Sequence, residues 1–123
     1  MDDLAAVGEY FERKGARWTS TDGSVSTHLR RLGRNGLIAE FRSDPDFEAV
    51  SRYLHRLSDV QYVQDTGYSE FTTKVQESIL GPSVRPRGVQ HQVALIVRAA
   101  LLACGISPFG ERLARIAGNL PRA

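Results

Sequence analysis

Arg17-Trp18-Thr19-Ser20-Thr21-Asp22-Gly23-Ser24-Val25-Ser26-Thr27-His28-Leu29 is the stretch on which the architecture turns. Asp-Gly between two strand-like runs is a hairpin signal, because a tight primed turn needs φ > 0 at both central residues. Pairing across that turn sets Ser20 opposite Val25, Trp18 opposite Thr27 and Ala16 opposite Leu29. These positions share one face, which carries Trp18, Val25 and Leu29. The other face holds Arg17, Thr19, Thr21, Ser24, Ser26 and His28, with no apolar residue. Such alternation predicts an antiparallel sheet with one buried and one polar face.

The same logic extends outward. Arg34-Asn35-Gly36 predicts a second turn, a three-residue loop that pairs Leu29 with Phe41 and Arg31 with Ala39. Arg30 then faces Glu40 as an opposite-charge cross-strand pair, while Leu32 and Ile38 fall on the outer face. Upstream, Leu4, Val7, Tyr10 and Phe11 predict a helix over residues 2–14 that Gly15 ends. Asp44 as N-cap and Pro45 at the first helical position predict another helix, with Phe47, Val50, Tyr53, Leu54 and Leu57 as its apolar stripe. A third hairpin is predicted over residues 60–75 around Thr66-Gly67, with Tyr62 beside Phe71. Residues 81–88, rich in Gly, Pro and Arg, predict a surface loop. Residues 91–104 form a helix that is apolar nearly all round, hence central to the core, and Ser107-Pro108 opens a short last helix over residues 109–117. The expected fold is α+β: a single domain, residues 1–123, with one antiparallel sheet of about five strands (a three-strand meander plus a hairpin). Its helices pack on one face, in the order α-βββ-α-ββ-α-α.

At 123 residues the chain is long enough for one domain with a real core. Its 41% hydrophobic and 24% charged content is ordinary for a globular protein. No cationic, apolar leader follows Met1, and the longest apolar run, residues 93–106, is broken by Arg98 and too short to span a bilayer. The single cysteine, Cys104, excludes an intramolecular disulfide and a cysteine-based metal site. A cytoplasmic location is the expectation. Net charge is +2 but uneven: residues 1–80 hold 10 Lys+Arg against 13 Asp+Glu, and residues 81–123 hold 6 against 1. A basic C-terminal third suits an anionic partner.

Three resemblances accompany these patterns. Ser24-Val25-Ser26-Thr27-His28-Leu29-Arg30-Arg31-Leu32, followed by Asn35-Gly36-Leu37-Ile38, resembles the recognition helix and wing start of winged helix-turn-helix regulators. That resemblance implies a helix in the major groove, with Ser24, Ser26, Thr27, Arg30 and Arg31 near bases or phosphates. Thr19-Ser20-Thr21-Asp22-Gly23 departs from it where the supporting helix belongs. Residues 37–75, with Leu57-Ser58-Asp59-Val60, Val63, Thr66-Gly67-Tyr68-Ser69-Glu70-Phe71 and Val75, resemble the βαββ part of the effector-binding domain of leucine-responsive/asparagine-type regulators. That implies a ferredoxin-like, dimeric domain that binds small amino acids, although the second half of the chain departs from it. The predicted order of elements is also similar in topology to secretion chaperones, which implies a dimeric module that holds a protein segment.

Candidate catalytic residues are His28, His55, His91, Asp65, Lys74 and Cys104, none in a recognisable motif. Arg85 and His91 have the loose spacing of a metal-independent nuclease pair, but Pro86 intervenes where that pair needs a helix. Cys104 lies on the apolar helix as a core thiol. No catalytic residue, cofactor or metal site is therefore assigned. The expected partner-binding residues are Arg85, Arg87, Arg112 and Arg115 in the basic third, with Arg17, His28 and Arg30 on the polar sheet face. The leading expectation is a small non-enzymatic binding or regulatory module whose partner is an acidic protein surface or a nucleic-acid backbone, with a homodimer as one expected state. A DNA-binding regulator using the basic segments is the alternative, and a small ribonuclease-like enzyme is third.

Overall fold

A computed structural model describes residues 3–61, 68–80 and 87–106, with side chains described for all of these but 59–61, 68–72 and 87. They form five helices: α1 (Asp3–Asp22), α2 (Val25–Ser43), α3 (Phe47–Gln61), α4 (Tyr68–Leu80) and α5 (Arg87–Cys104). No strand occurs among the described residues. The α+β fold with its five-strand antiparallel sheet is therefore overturned, and with it the βαββ order and the meander. The expected third hairpin gives way to the end of α3 and to α4, while its turn, residues 62–67, lies outside the described residues. Residues 81–86 and the expected last helix lie outside them as well.

The physical reason is local. Asp22-Gly23-Ser24 is a helix stop abutting a helix start. Gly23 takes φ 82 and donates its N–H to the Thr19 carbonyl at 2.8 Å, a left-handed C-terminal cap. Ser24 is extended, with φ −158 and ψ 157, and its hydroxyl accepts the Thr27 N–H at 3.0 Å. The His28 N–H then donates to the Ser24 carbonyl at 3.1 Å, and α2 is under way. The second expected turn is displaced too. Asn35-Gly36 is helical, and the chain bends instead at Gly33, whose φ 67 and ψ −175 suit glycine almost alone. The bend divides α2 into residues 25–32 and 34–43.

The helices of the first half are longer than expected because Gly15 does not end α1. Gly15 is buried against α5, where a Cβ would meet Ile96 Cδ1 at 3.2 Å. Its missing side chain lets the two helices approach closely. At the other junction Asp44 is the C-cap of α2, and α3 opens at Phe47, two residues later than expected from Pro45; Asp44 Oδ1 accepts the Asp46 N–H at 3.0 Å ahead of α3. Helix α5 touches each of the other four helices and buries Val93, Ile96, Val97, Ala100 and Leu101. Its central position agrees with its nearly all-round apolar sequence.

The core residues survive the change of secondary structure. Trp18, Val25, Leu29, Phe41, Phe47 and Leu54 are buried, and Tyr53, Leu57 and Leu95 pack partly buried against them. Residues four apart share a face in a strand and in a helix alike, so the pairs Val25/Leu29 and Leu37/Phe41 fit both. Helical phase also accounts for Leu32, which joins the core edge after Val25, His28 and Leu29 in place of the outer face expected for it. Trp18, 1% exposed, sits edge-on to Phe41 at 5.8 Å between ring centroids. Trp18→Ala is expected to cost about 3–5 kcal/mol in urea unfolding monitored by circular dichroism. An unchanged midpoint would remove Trp18 from the core.

Candidate functional site

The junction of α1 and α2 carries a connected polar cluster. His28 is 4% exposed and stacks on Trp18, with ring centroids 4.5 Å apart and planes 23° from parallel. Its Nδ1 is in close contact with Asp22 Oδ2, and its Nε2 lies 3.3 Å from Glu40 Oε2. Glu40 also accepts the Trp18 Nε1–H at 3.0 Å. Arg31 Nε donates to both oxygens of Asp22, at 3.1 and 2.9 Å. These hydrogen bonds join α1, the turn and both halves of α2. The Arg31 guanidinium beside Asp22 is the main reason that carboxyl titrates below the usual range, with His28 adding to it against the effect of burial.

A second cluster fixes the elbow between α2 and α3. Lys14, 5% exposed, donates to Asp44 Oδ2 at 2.6 Å, and the Tyr10 hydroxyl donates to the same oxygen at 2.9 Å. The Lys14 ammonium also lies 5.2 Å from the centroid of the Phe41 ring. Burial pushes the Asp44 carboxyl up, but the hydrogen bonds from Lys14, the Asp46 amide and Tyr10 outweigh it and hold it below the usual range. Burial, with that hydrogen bond to Asp44, pushes the Tyr10 hydroxyl up.

Outside these clusters the surface around the Gly23 turn, within residues 13–39, is cationic. Residues 13–39 contain Arg13, Lys14, Arg17, Arg30, Arg31 and Arg34 against one acid, Asp22, and that acid is occupied by His28 and Arg31. Helix α1 reverses charge along its length: Asp3, Glu9 and Glu12 precede Arg13, Lys14 and Arg17. Arg13, Ala16, Arg17, Ser20 and Thr21 are exposed at helical spacing on α1. On α2, Ser26, Thr27, Arg30 and Arg31 are exposed opposite the buried Val25, His28 and Leu29. Arg13, Arg17 and Arg30 form no ion pair among the described residues.

The expected site residues thus separate. Arg17 and Arg30 are exposed and flank the same turn. His28 is corrected: it is a buried structural partner of Trp18, Asp22 and Glu40, because helical phase turns it inward with Val25 and Leu29. Arg30 does not pair with Glu40, which faces Trp18 and His28 instead. Arg87 opens α5, while Arg85, Arg112 and Arg115 lie outside the described residues, as does Asp65. His91 is exposed on α5, and Lys74 lies half-buried on α4. His55 is exposed beside a cleft of about 520 Å³ that Asp3, Val7, Tyr53 and Arg56 also line. Cys104 donates to Ser51 Oγ at 3.4 Å, and burial pushes its thiol up to about 11, which leaves it unreactive near neutral pH. No group of three His, Cys, Asp or Glu side chains is placed to hold a metal ion among the described residues. The α1–α2 clusters escape a reading of the sequence in strands, and the basic run escapes a charge count over residues 1–80 as one block. A local count over residues 13–39 together with helical phase finds both.

The chain matches no protein-family model, no curated protein and no solved structure.

Asp22 and Asp44 both bind protons less readily folded than unfolded. As pH falls through about 4, the ordinary carboxylate value, the unfolded chain is protonated first and stability declines. Melting temperatures measured from pH 6 to pH 3 are expected to fall. Asp44→Asn is expected to lower stability at neutral pH, since it leaves the buried Lys14 charge uncompensated, and to flatten the acid limb. An acid limb unchanged by Asp44→Asn would deny this carboxyl its role.

Proposed function

We propose that this protein is a small non-enzymatic module that binds double-stranded DNA through the α1–Gly23–α2 unit. One observation carries the reading. A helix capped by Ser24 after a Gly23 turn exposes Ser26, Thr27, Arg30 and Arg31 on one face, in a segment whose single acid is internally paired. Two helices joined by a short glycine-containing turn, with polar and cationic residues at the start of the second, form the unit that helix-turn-helix proteins lay in the major groove. Arg13 and Arg17 on α1 supply phosphate contacts beside it. The resemblance to winged helix-turn-helix regulators supports the first half of that match, Ser24 to Leu32. Its wing half is not supported, because residues 35–38 are helical.

This reading takes up the DNA-binding alternative because the described cationic face lies on a helix that follows a short glycine turn. It is preferred to a ribonuclease-like enzyme because both ring nitrogens of His28 face carboxylates in the interior. A cytoplasmic location belongs to the same proposal. No helix among the described residues is long and apolar enough to cross a membrane.

The test is fluorescence anisotropy of a labelled mixed-sequence duplex over a salt series. Affinity is expected to fall steeply as salt rises, since each phosphate contact releases counterions. Arg17→Ala is expected to weaken binding to all duplexes alike and to reduce the log–log salt slope by about 1. No binding at low salt, or a slope that Arg17→Ala leaves unchanged, would count against the proposal.

A further inference from the structure

Within the exposed face of α2 one side chain differs from the others. Arg30 and Arg31 are adjacent and both exposed, yet only Arg31 is held. Its Nε donates to both oxygens of Asp22, and its Nη2 lies 3.4 Å from His28 Nδ1. Asp22 is itself fixed: its side chain is 13% exposed and in close contact with the buried His28, which stacks on Trp18. The Arg31 side chain remains 52% exposed. A helical side chain leans toward the N-terminus of its helix, and Asp22 lies just before that terminus. The guanidinium is thus anchored beside the first turn of α2, one turn above Thr27. The first turn of the second helix is where a helix-turn-helix unit reaches base edges.

We infer that Arg31, oriented by Asp22, is the specificity-determining residue of this interface and that it selects a guanine in the bound duplex. The inference rests on the DNA-binding reading above. With Nε on Asp22 and Nη2 also 3.4 Å from His28 Nδ1, the half-exposed guanidinium keeps the outer N–H of each Nη as a pair of parallel donors. Guanine is the base whose major-groove edge offers two adjacent acceptors, N7 and O6, at that spacing. Adenine places a donor where O6 would be, and either pyrimidine lacks the pair. Anchoring matters because a free arginine loses rotamer freedom when it docks, whereas Arg31 has already lost most of its freedom in the unbound protein. Arg30, without an anchor among the described residues, serves as a mobile phosphate contact. Asp22 is a positioning residue: it touches no DNA and acts through Arg31.

The test is selection of bound sites from a duplex library with a randomised central segment, carried out with the full chain and its variants. The parent is expected to recover sites with a guanine at one fixed position, preferred roughly 5- to 150-fold over other bases, the range of a good bidentate contact. Arg31→Ala and Arg31→Lys are expected to lose that preference, the latter while keeping its charge and its general affinity. Arg30→Ala is expected to weaken all sites alike and keep the guanine. Asp22→Asn removes an acid from a DNA-facing unit, which by charge alone would strengthen binding. It is expected to raise general affinity while reducing the guanine preference. Recovered sites without a fixed guanine, or a guanine that survives Arg31→Ala and Arg31→Lys, would overturn the inference and leave DNA binding standing. Recovery of no duplex by any variant at low salt would instead overturn the DNA-binding reading, and this inference with it.

Discussion

Trp18 is the side chain on which the rest of the structure depends. It comes from the last quarter of α1 and touches both halves of α2: its ring stacks on His28 and meets Phe41 edge-on, and its Nε1 donates to Glu40. A single rigid group therefore sets how the segment before Gly33 and the segment after it lie on α1. Aromatic pairs of this kind contribute about 0.5–1.5 kcal/mol beyond the area they bury. A hydrogen bond to a charged acceptor adds about 1.5–3 kcal/mol. The turn at Gly23 has no such weight alone. It permits the chain to reverse, and the packing behind it decides the angle.

Buried polar pairing follows from that arrangement. Bringing His28 inward beside Trp18 demands partners for two ring nitrogens, and Asp22 and Glu40 supply them from opposite ends of the unit. Lys14, one helical turn before Trp18, is drawn in by the same face and demands Asp44. An unpaired buried charge costs several kcal/mol, so each of these pairs fixes geometry more than it adds stability. The consequence at the surface is electrostatic. The acid nearest the exposed face is consumed inside, and what remains outside between residues 13 and 39 is cationic or neutral.

Much of the core was legible in the sequence even though its secondary structure was not. Trp18, Val25, Leu29 and Phe41 were assigned to one buried face, and they share one, because spacing by four satisfies both periods. The helix of residues 91–104 was legible from its continuous apolarity, although it begins earlier, at Arg87, and a helix after Asp44 was legible, although it opens at Phe47. Asp22-Gly23-Ser24 has two. The same glycine closes a hairpin or caps a helix in the left-handed region, and the same serine extends a strand or opens a helix. Period decides between them, and Leu32, left outside by the hairpin and partly buried by the helix, was the residue that distinguished them. His28 was misplaced for the same reason: a polar residue on an even position looks exposed in a strand, and helical phase puts it beside Leu29. The cluster around it was invisible because nothing local marks a histidine as the partner of an aspartate six residues before and a glutamate twelve after. Arg17 and Arg30, chosen from the polar sheet face, both remain exposed, since exposure survived the change of period.

The central claim is that the exposed face around the Gly23 turn is where duplex DNA sits. It is tested most directly by titrating an unlabelled duplex into the ¹⁵N-labelled chain and following backbone amide shifts. The account predicts that the largest perturbations fall on Arg13 to Arg31, greatest at Ser26, Thr27 and Arg30, with small changes in α3 and in the interior of α5. Perturbations centred on α3, α4 or α5, or none under conditions of binding, would contradict it.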